Sequence, residues 1–170
     1  GAEELDRAVV AEDQIRKVVQ TFRDRLFVDI FPGRTEVPKT IIFAKDDSHA
    51  DDIVRIVREE FGKGNDFCQK ITYRPGVMRL TCMVPESSAP GGKREETYYE
   101  RTAGMTGEDV LVAFRNSFNP RIAVTVDMIA TGTDVKPVEI VFFMRSIKSS
   151  NYFEQMKGRG VRVMPADALR

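Results

Sequence analysis

The sequence has few of the residues that bind metals or form crosslinks: its 170 residues include two cysteines, one histidine and no tryptophan. Cys68 and Cys82 lack the close spacing of a metal-binding pair, so we expect two reduced thiols. His49 stands among aspartates with no second histidine or cysteine nearby, which indicates a solvent-facing side chain at an acidic helix start. These shortages argue against a metal site. They also exclude a triad of serine or cysteine with histidine and aspartate.

Long apolar runs, a secretory signal and an excess of one charge are also missing. No segment has the length and apolar character of a membrane span, and no signal-peptide pattern is present. The 26 basic residues equal the 26 acidic residues, so any anion site must be local. We expect a cytoplasmic protein with no membrane partner. The phosphate-binding pattern Gly-x-x-x-x-Gly-Lys-Ser/Thr is absent as well.

Short apolar runs alternate with amphipathic stretches along the chain. The runs are nearly continuous and rich in β-branched residues, which is typical of strands covered on both faces of a parallel sheet. Strands that alternate with helices predict an α/β fold in three layers, with a central, mostly parallel sheet and helices on both faces. The candidate strands are residues 39–45, 67–73, 121–126 and 138–143. The candidate helices are residues 10–27, a segment after 46 with Ser48 and Asp51 at capping-box spacing, and residues 106–120.

One segment departs from this pattern. Residues 74–103 are rich in proline, glycine, serine and charge, with one short apolar patch at 78–84. We interpret the segment as a β-hairpin or partly ordered insertion that lies peripheral to the sheet.

Cations are concentrated beside glycines in "QMKGRGVR", residues 155–162. Arg159 and Arg162 are three residues apart and point the same way on a helical turn, and their forked donors suit phosphate. In the loop 127–137, Asp134 near a glycine could accept from a ribose hydroxyl. Ligands of open parallel sheets bind beyond the carboxyl ends of the strands, so we predict that this loop and the arginines meet there. Surface arginines with an ordinary Asx turn are the alternative.

Three segments carry a family resemblance. "KTIIFAK" (39–45) resembles motif IV of superfamily 2 helicases and translocases, "DMIATGTDV" (127–135) resembles motif V, and "QMKGRGVR" resembles motif VI. The order and spacing resemble those of the second RecA-like domain. The similarity is closest to the restriction (R) subunit of type I restriction–modification enzymes. It covers about residues 10 to 165 and includes "FRNSFNPRIAVTVDMIATGTD" and "FEQMKGRGVRV".

The resemblance implies roles for individual residues. Arg162 would be the arginine finger that reaches the γ-phosphate of ATP, with Arg159 as a second phosphate ligand. Other motif residues would lie near the nucleotide: Gln155, Gly132, Asp134 and Gly158. A DNA strand would pass the ends of motifs IV and V, at Lys45, Thr125, Val126 and Asp127.

The resemblance also implies a domain plan and partners. Residues 1–38 would be an N-terminal helix and connector from a preceding domain, 39–165 the second RecA-like domain, and 166–170 a truncated linker. ATP and Mg²⁺ would be bound mainly by a first motor domain of the same polypeptide, and none tightly by this fragment, which would be inactive alone. The expected partners are duplex DNA and the modification and specificity subunits. A degenerate RecA-like interaction module and an RNA helicase domain are the alternatives.

Overall fold

The computed structural model describes residues 2–71, 77–101, 107–126, 138–145, 154 and 156–165, with 2–11, 77–79, 100 and 101 described by backbone alone. The helices are α1 (Ala2–Arg25), α2 (Asp47–Phe61) and α3 (Gly107–Asn116). The strands are β1 (Thr40–Phe43), β2 (Cys68–Ile71), β3 (Val77–Pro85), β4 (Lys93–Arg101), β5 (Ile122–Thr125), β6 (Ile140–Phe143) and β7 (Arg162–Pro165). A π-helical turn, Leu26–Ile30, extends α1, and a 3₁₀ turn, Pro90–Gly92, joins β3 to β4.

Five strands form one parallel sheet in the order β2-β5-β1-β6-β7. Their first residues are in register: Thr40 lies opposite Ile122 and Ile140, and Ile140 lies opposite Arg162. All five strands therefore enter at one edge of the sheet, the amino edge, and leave at the opposite carboxyl edge. The predicted α/β class with a parallel central sheet is confirmed.

Each face of the sheet has its own apolar layer, because successive side chains of a strand point to opposite faces. One face packs against α1 and α2 through Ile42, Ile122, Val124, Ile140 and Phe142. The other packs against α3 through Ile41, Phe43, Ala123, Val141 and Phe143. Every residue of β1, β5 and β6 is buried, which explains why these strands read as continuous apolar runs rather than as alternating ones.

Helix α1 packs against α2 and the sheet. The apolar stripe predicted for it is buried: Ile15, Val18, Val19, Phe22 and Leu26. The Phe22 ring centroid lies 5.4 Å from that of Phe142 in β6. Arg16 and Arg23 add ion pairs to Glu60 of α2, each with a 2.8 Å N–O distance. Within the described residues, no helix combines the length and apolar character that a membrane span requires.

The N-cap of helix α2 lies two residues before the predicted one. Asp46, rather than Ser48, is the N-cap: its backbone is extended, and its Oδ1 accepts the N–H of His49 at 2.8 Å. Ser48 lies inside the helix, so its hydroxyl cannot act as this cap. His49 is half-buried, not solvent-facing, and its Nδ1 accepts the N–H of Lys45. The predicted end is correct, since Gly62 has a left-handed φ of 61° that favours glycine.

Strands β3 and β4 form the hairpin that the sequence predicted, a separate antiparallel ribbon paired from Val77–Arg101 to Pro85–Lys93. The expectation that the whole segment is peripheral is only partly correct. Leu80 is 2% exposed and belongs to the apolar layer on the α1–α2 side of the sheet. Farther along the ribbon, Met83 is 59% exposed. The hairpin is therefore anchored to the core at Leu80, and its part near Met83 projects into solvent.

The two cysteines are free and differ in environment. Cys68 is buried in β2, and burial raises the pKa of its thiol to about 12, whereas Cys82 lies exposed on β3. Because the thiolate is the nucleophile, Cys68 is held in its unreactive form.

Candidate functional site

The turn that carries the arginines is built from a short apolar anchor and one glycine. Residues 156–158 are helical, and the buried side chains of Met156 and Val161 hold the two ends of the turn on the α3 face of the sheet. Met156 O accepts the N–H groups of Arg159 and Val161, both at 3.1 Å. Gly160 has a φ of 78°, which side-chain-bearing residues rarely adopt. The local sequence thus fixes the backbone from which both arginines project.

Both arginines are exposed, and Gly158 leaves open space beside them. A Cβ added at Gly158 would meet no atom within 4 Å, so packing does not require glycine there. The space leaves the backbone accessible to a ligand.

The guanidinium of Arg162 lies over an aromatic ring. Its Cζ is 5.3 Å from the ring centroid of Phe31, and the Cζ of Arg34 is 5.2 Å from the same centroid. Arg34 donates two hydrogen bonds to Glu139, at 2.9 and 3.1 Å. These bonds raise the pKa of Arg34 and lower that of Glu139. Since the Glu139 carbonyl accepts the Arg162 N–H at 3.0 Å, the four residues form a closed set of contacts.

The arginine turn does not lie at the carboxyl edge of the sheet, where the sequence predicted that it would meet the loop 127–137. Arg162 opens β7 opposite Ile140, the first residue of β6, so it lies at the amino edge. The physical reason is the parallel direction of β7: a strand parallel to its neighbour must enter the sheet at the same edge. The arginine turn precedes β7 and is therefore at that edge too.

The carboxyl edge brings together two of the residues predicted to lie near DNA. Lys45 follows β1 and Val126 follows β5, and these strands are paired so that Phe43 lies opposite Thr125. The Ala44 N–H donates to Thr125 O at 2.9 Å. Lys45 is exposed and Val126 half-buried, whereas Thr125 is only 1% exposed and does not present its side chain to a ligand.

Several predicted site residues lie outside the described residues: Gln155, Gly132, Asp134 and Asp127. The loop that resembles motif V is among them, so its position relative to Arg159 and Arg162 stays a prediction.

Sequence reasoning missed a basic cleft at the amino edge. The cleft has a volume of about 570 Å³ and is lined by Lys39, Arg115, Asn116, Ser117, Arg121, Val138 and Glu139. Lys39 is 4% exposed, and its Nζ donates to the carbonyls of Ser117 and Pro120 at 2.8 and 2.6 Å. Arg121 likewise donates to the Phe118 and Val37 carbonyls. Both cations thus satisfy backbone acceptors just beyond α3, which indicates a structural role.

Burial and, to a smaller extent, the nearby Arg121 charge together lower the pKa of Lys39 from 10.5 to about 8. Between pH 8 and 10.5, Lys39 is therefore protonated more often in the unfolded chain than in the folded chain. The contribution of Lys39 to the free energy of unfolding consequently rises with pH in this range. We expect the unfolding free energy of the wild type, minus that of Lys39→Met, to increase between pH 8 and 10. Urea denaturation at several pH values measures this. A difference that is independent of pH would contradict it.

We compared the chain with protein-family models, with known sequences and with solved structures, and the matches all come from type I restriction enzymes. No protein-family model matches the chain. The type I restriction enzyme EcoKI endonuclease subunit of Escherichia coli K12 is 27% identical over 127 residues, which cover 75% of this chain and 9% of the relative. The EcoAI endonuclease subunit of Escherichia coli is 26% identical over 168 residues, 94% of this chain and 16% of the relative. The chain therefore spans a small part of the length of these relatives.

A solved structure supports the fold. A fragment of an HsdR subunit of a type I restriction enzyme from Vibrio vulnificus superposes with a TM-score of 0.56 at 18% identity, covering 92% of this chain and 28% of that one. Both sequence relatives and this structure come from the same kind of subunit. The chain is thus similar to the endonuclease subunits of type I restriction enzymes.

Proposed function

We propose that the chain is the second motor domain of an ATP-dependent DNA translocase within a type I restriction endonuclease subunit. A first motor domain of the same polypeptide binds ATP and Mg²⁺. This domain closes against it and supplies Arg162 as the arginine finger and Arg159 as a further phosphate ligand. Gln155, Gly132, Asp134 and Gly158 lie near the nucleotide.

One observation carries the proposal: the chain is similar to the EcoAI endonuclease subunit over 94% of its length, and described parts of the two segments that resemble motifs IV and VI belong to strands of one parallel sheet. The motif IV segment forms β1, and the motif VI segment ends in the first residue of β7. Phosphoryl transfer requires positioned charge rather than covalent catalysis by the protein, and an exposed guanidinium on a fixed turn fits that need.

The carboxyl edge is the surface we assign to nucleic acid. Lys45 supplies an exposed cation there, and Val126 follows the neighbouring strand. Asp127, the next residue in the sequence, is a further proposed DNA contact. Cycles of ATP binding and hydrolysis open and close the cleft between the two motor domains and so move the enzyme along duplex DNA. The modification and specificity subunits complete the restriction complex, and base recognition belongs to the latter.

The test compares ATP turnover by the full-length subunit with turnover by the 170-residue chain. We expect duplex DNA to stimulate the full-length subunit, because the motor couples hydrolysis to movement on DNA. The isolated chain should show no turnover above background, since the phosphate-binding loop is absent from its sequence. The assay measures phosphate release with duplex DNA, single-stranded DNA or RNA. Stimulation by RNA alone would support the helicase alternative, and no nucleic-acid response would support an interaction module.

A further inference from the structure

We infer that Phe31 and Arg34, in the segment between α1 and β1, position the guanidinium of Arg162 for its action on ATP. The inference rests on the proposed function of Arg162. It adds two positioning residues that lie outside every motif used to assign that function.

The guanidinium of Arg162 lies over the Phe31 ring, with its Cζ 5.3 Å from the ring centroid. An aromatic ring attracts a cation placed over its face. Phosphate, in contrast, is bound by the N–H groups along the edge of the guanidinium. The contact with Phe31 restricts the side chain, and the ring has no oxygen or nitrogen acceptor for the N–H groups, so these donors are left for phosphate.

Arg34 prevents a competing ion pair. The Glu139 carbonyl accepts the Arg162 N–H, and the Glu139 carboxylate binds Arg34, whose guanidinium lies over the same Phe31 ring as that of Arg162. This carboxylate is therefore an acidic group that could compete for the Arg162 side chain. Arg34 occupies both carboxylate oxygens of Glu139, at 2.9 and 3.1 Å. Both carboxylate oxygens of Glu139 thus accept from Arg34, and the guanidinium N–H groups of Arg162 stay available for phosphate.

An exposed arginine has many rotamers, and ordering it opposes binding and catalysis. Restricting Arg162 before ATP arrives lowers that cost and improves its orientation in the transition state. An arginine finger stabilises charge that develops on the phosphate mainly in the transition state. Loss of the contacts that restrict Arg162 should therefore lower kcat more than it raises KM.

The chain offers a matched control. Phe118 is also covered by an arginine, with Arg121 Cζ 4.4 Å from its ring centroid. The Arg121 charge acts on Arg34 and Glu139 and is kept in this control, which changes only the Phe118 ring. Phe118→Leu therefore removes a similar cation–aromatic contact while Phe31, Arg34, Glu139 and Arg162 all stay unchanged.

The experiment measures DNA-stimulated ATP turnover of the full-length subunit, with melting curves for each variant. We expect Phe31→Leu to lower kcat about 3- to 10-fold with little change in KM, Phe31→Tyr to restore it, and Phe118→Leu to leave it unchanged. Arg34→Gln, which frees Glu139, should also lower kcat. Combining Phe31→Leu with Arg162→Ala should be no worse than Arg162→Ala alone.

Failure of the inference and failure of the proposed function give different results. If Arg162→Ala lowers turnover but Phe31→Leu and Arg34→Gln do not, the positioning role is wrong and the finger role stands. If Arg162→Ala leaves turnover intact, both are wrong. A loss in Phe31→Leu that Tyr does not restore and that follows the melting temperature would show a purely structural role and overturn the inference.

Discussion

Replacing Arg162 by alanine in the full-length subunit should lower DNA-stimulated ATP turnover by about 10³ or more, with a much smaller change in ATP affinity. The reason is that an arginine finger stabilises charge that develops in the transition state. Arg162→Lys should restore little, because a single ammonium cannot reproduce the guanidinium fork. Steady-state measurement of kcat and KM with saturating duplex DNA tests both expectations.

The same substitution should leave the fold intact. Arg162 is exposed, and the turn before it is held by Met156, Val161 and backbone hydrogen bonds that alanine keeps. Arg159→Ala is the comparison variant, and we expect it to lose a larger share of its effect in ATP binding. Near-normal turnover of Arg162→Ala, or its unfolding, would show that the arginine is structural.

Replacing Leu80 by alanine should lower the free energy of unfolding by about 2–5 kcal/mol. Leu80 is 2% exposed and joins the hairpin to the apolar layer between the sheet and helices α1 and α2, so truncation leaves a cavity there. Met83→Ala on the same strand is the control, because Met83 is 59% exposed and should lose less than about 0.5 kcal/mol. Urea denaturation measures both. Equal effects would mean that the hairpin is not anchored through Leu80.

The sheet was predictable because its strands are buried on both faces. All four residues from Thr40 to Phe43 are buried, which favours a nearly continuous run of apolar and β-branched residues, and such a run is visible in a single sequence. The sequence was less informative about the N-cap of α2. The aspartates and serine at 46–48 are all good caps, and only the backbone geometry selects Asp46.

The edge at which the arginines lie could also have been deduced. A turn that leads directly into a strand parallel to its neighbour has to lie at the amino edge, so recognising β7 as part of the sheet would have placed Arg162. The contact of Arg162 with Phe31 could not have been deduced from the strand order, because the two residues are far apart in the sequence. Neither could the burial of Lys39, because both depend on tertiary packing between distant segments.

The most direct test of the account is a structure of the full-length subunit with duplex DNA and a transition-state analogue of ATP, such as ADP with aluminium fluoride. The account predicts that an Arg162 guanidinium nitrogen lies within hydrogen-bond distance of the fluoride group, roughly 3 Å away, in the cleft between two motor domains. A structure in which Arg162 faces away from the nucleotide, with another residue contacting the fluoride in its place, would contradict it.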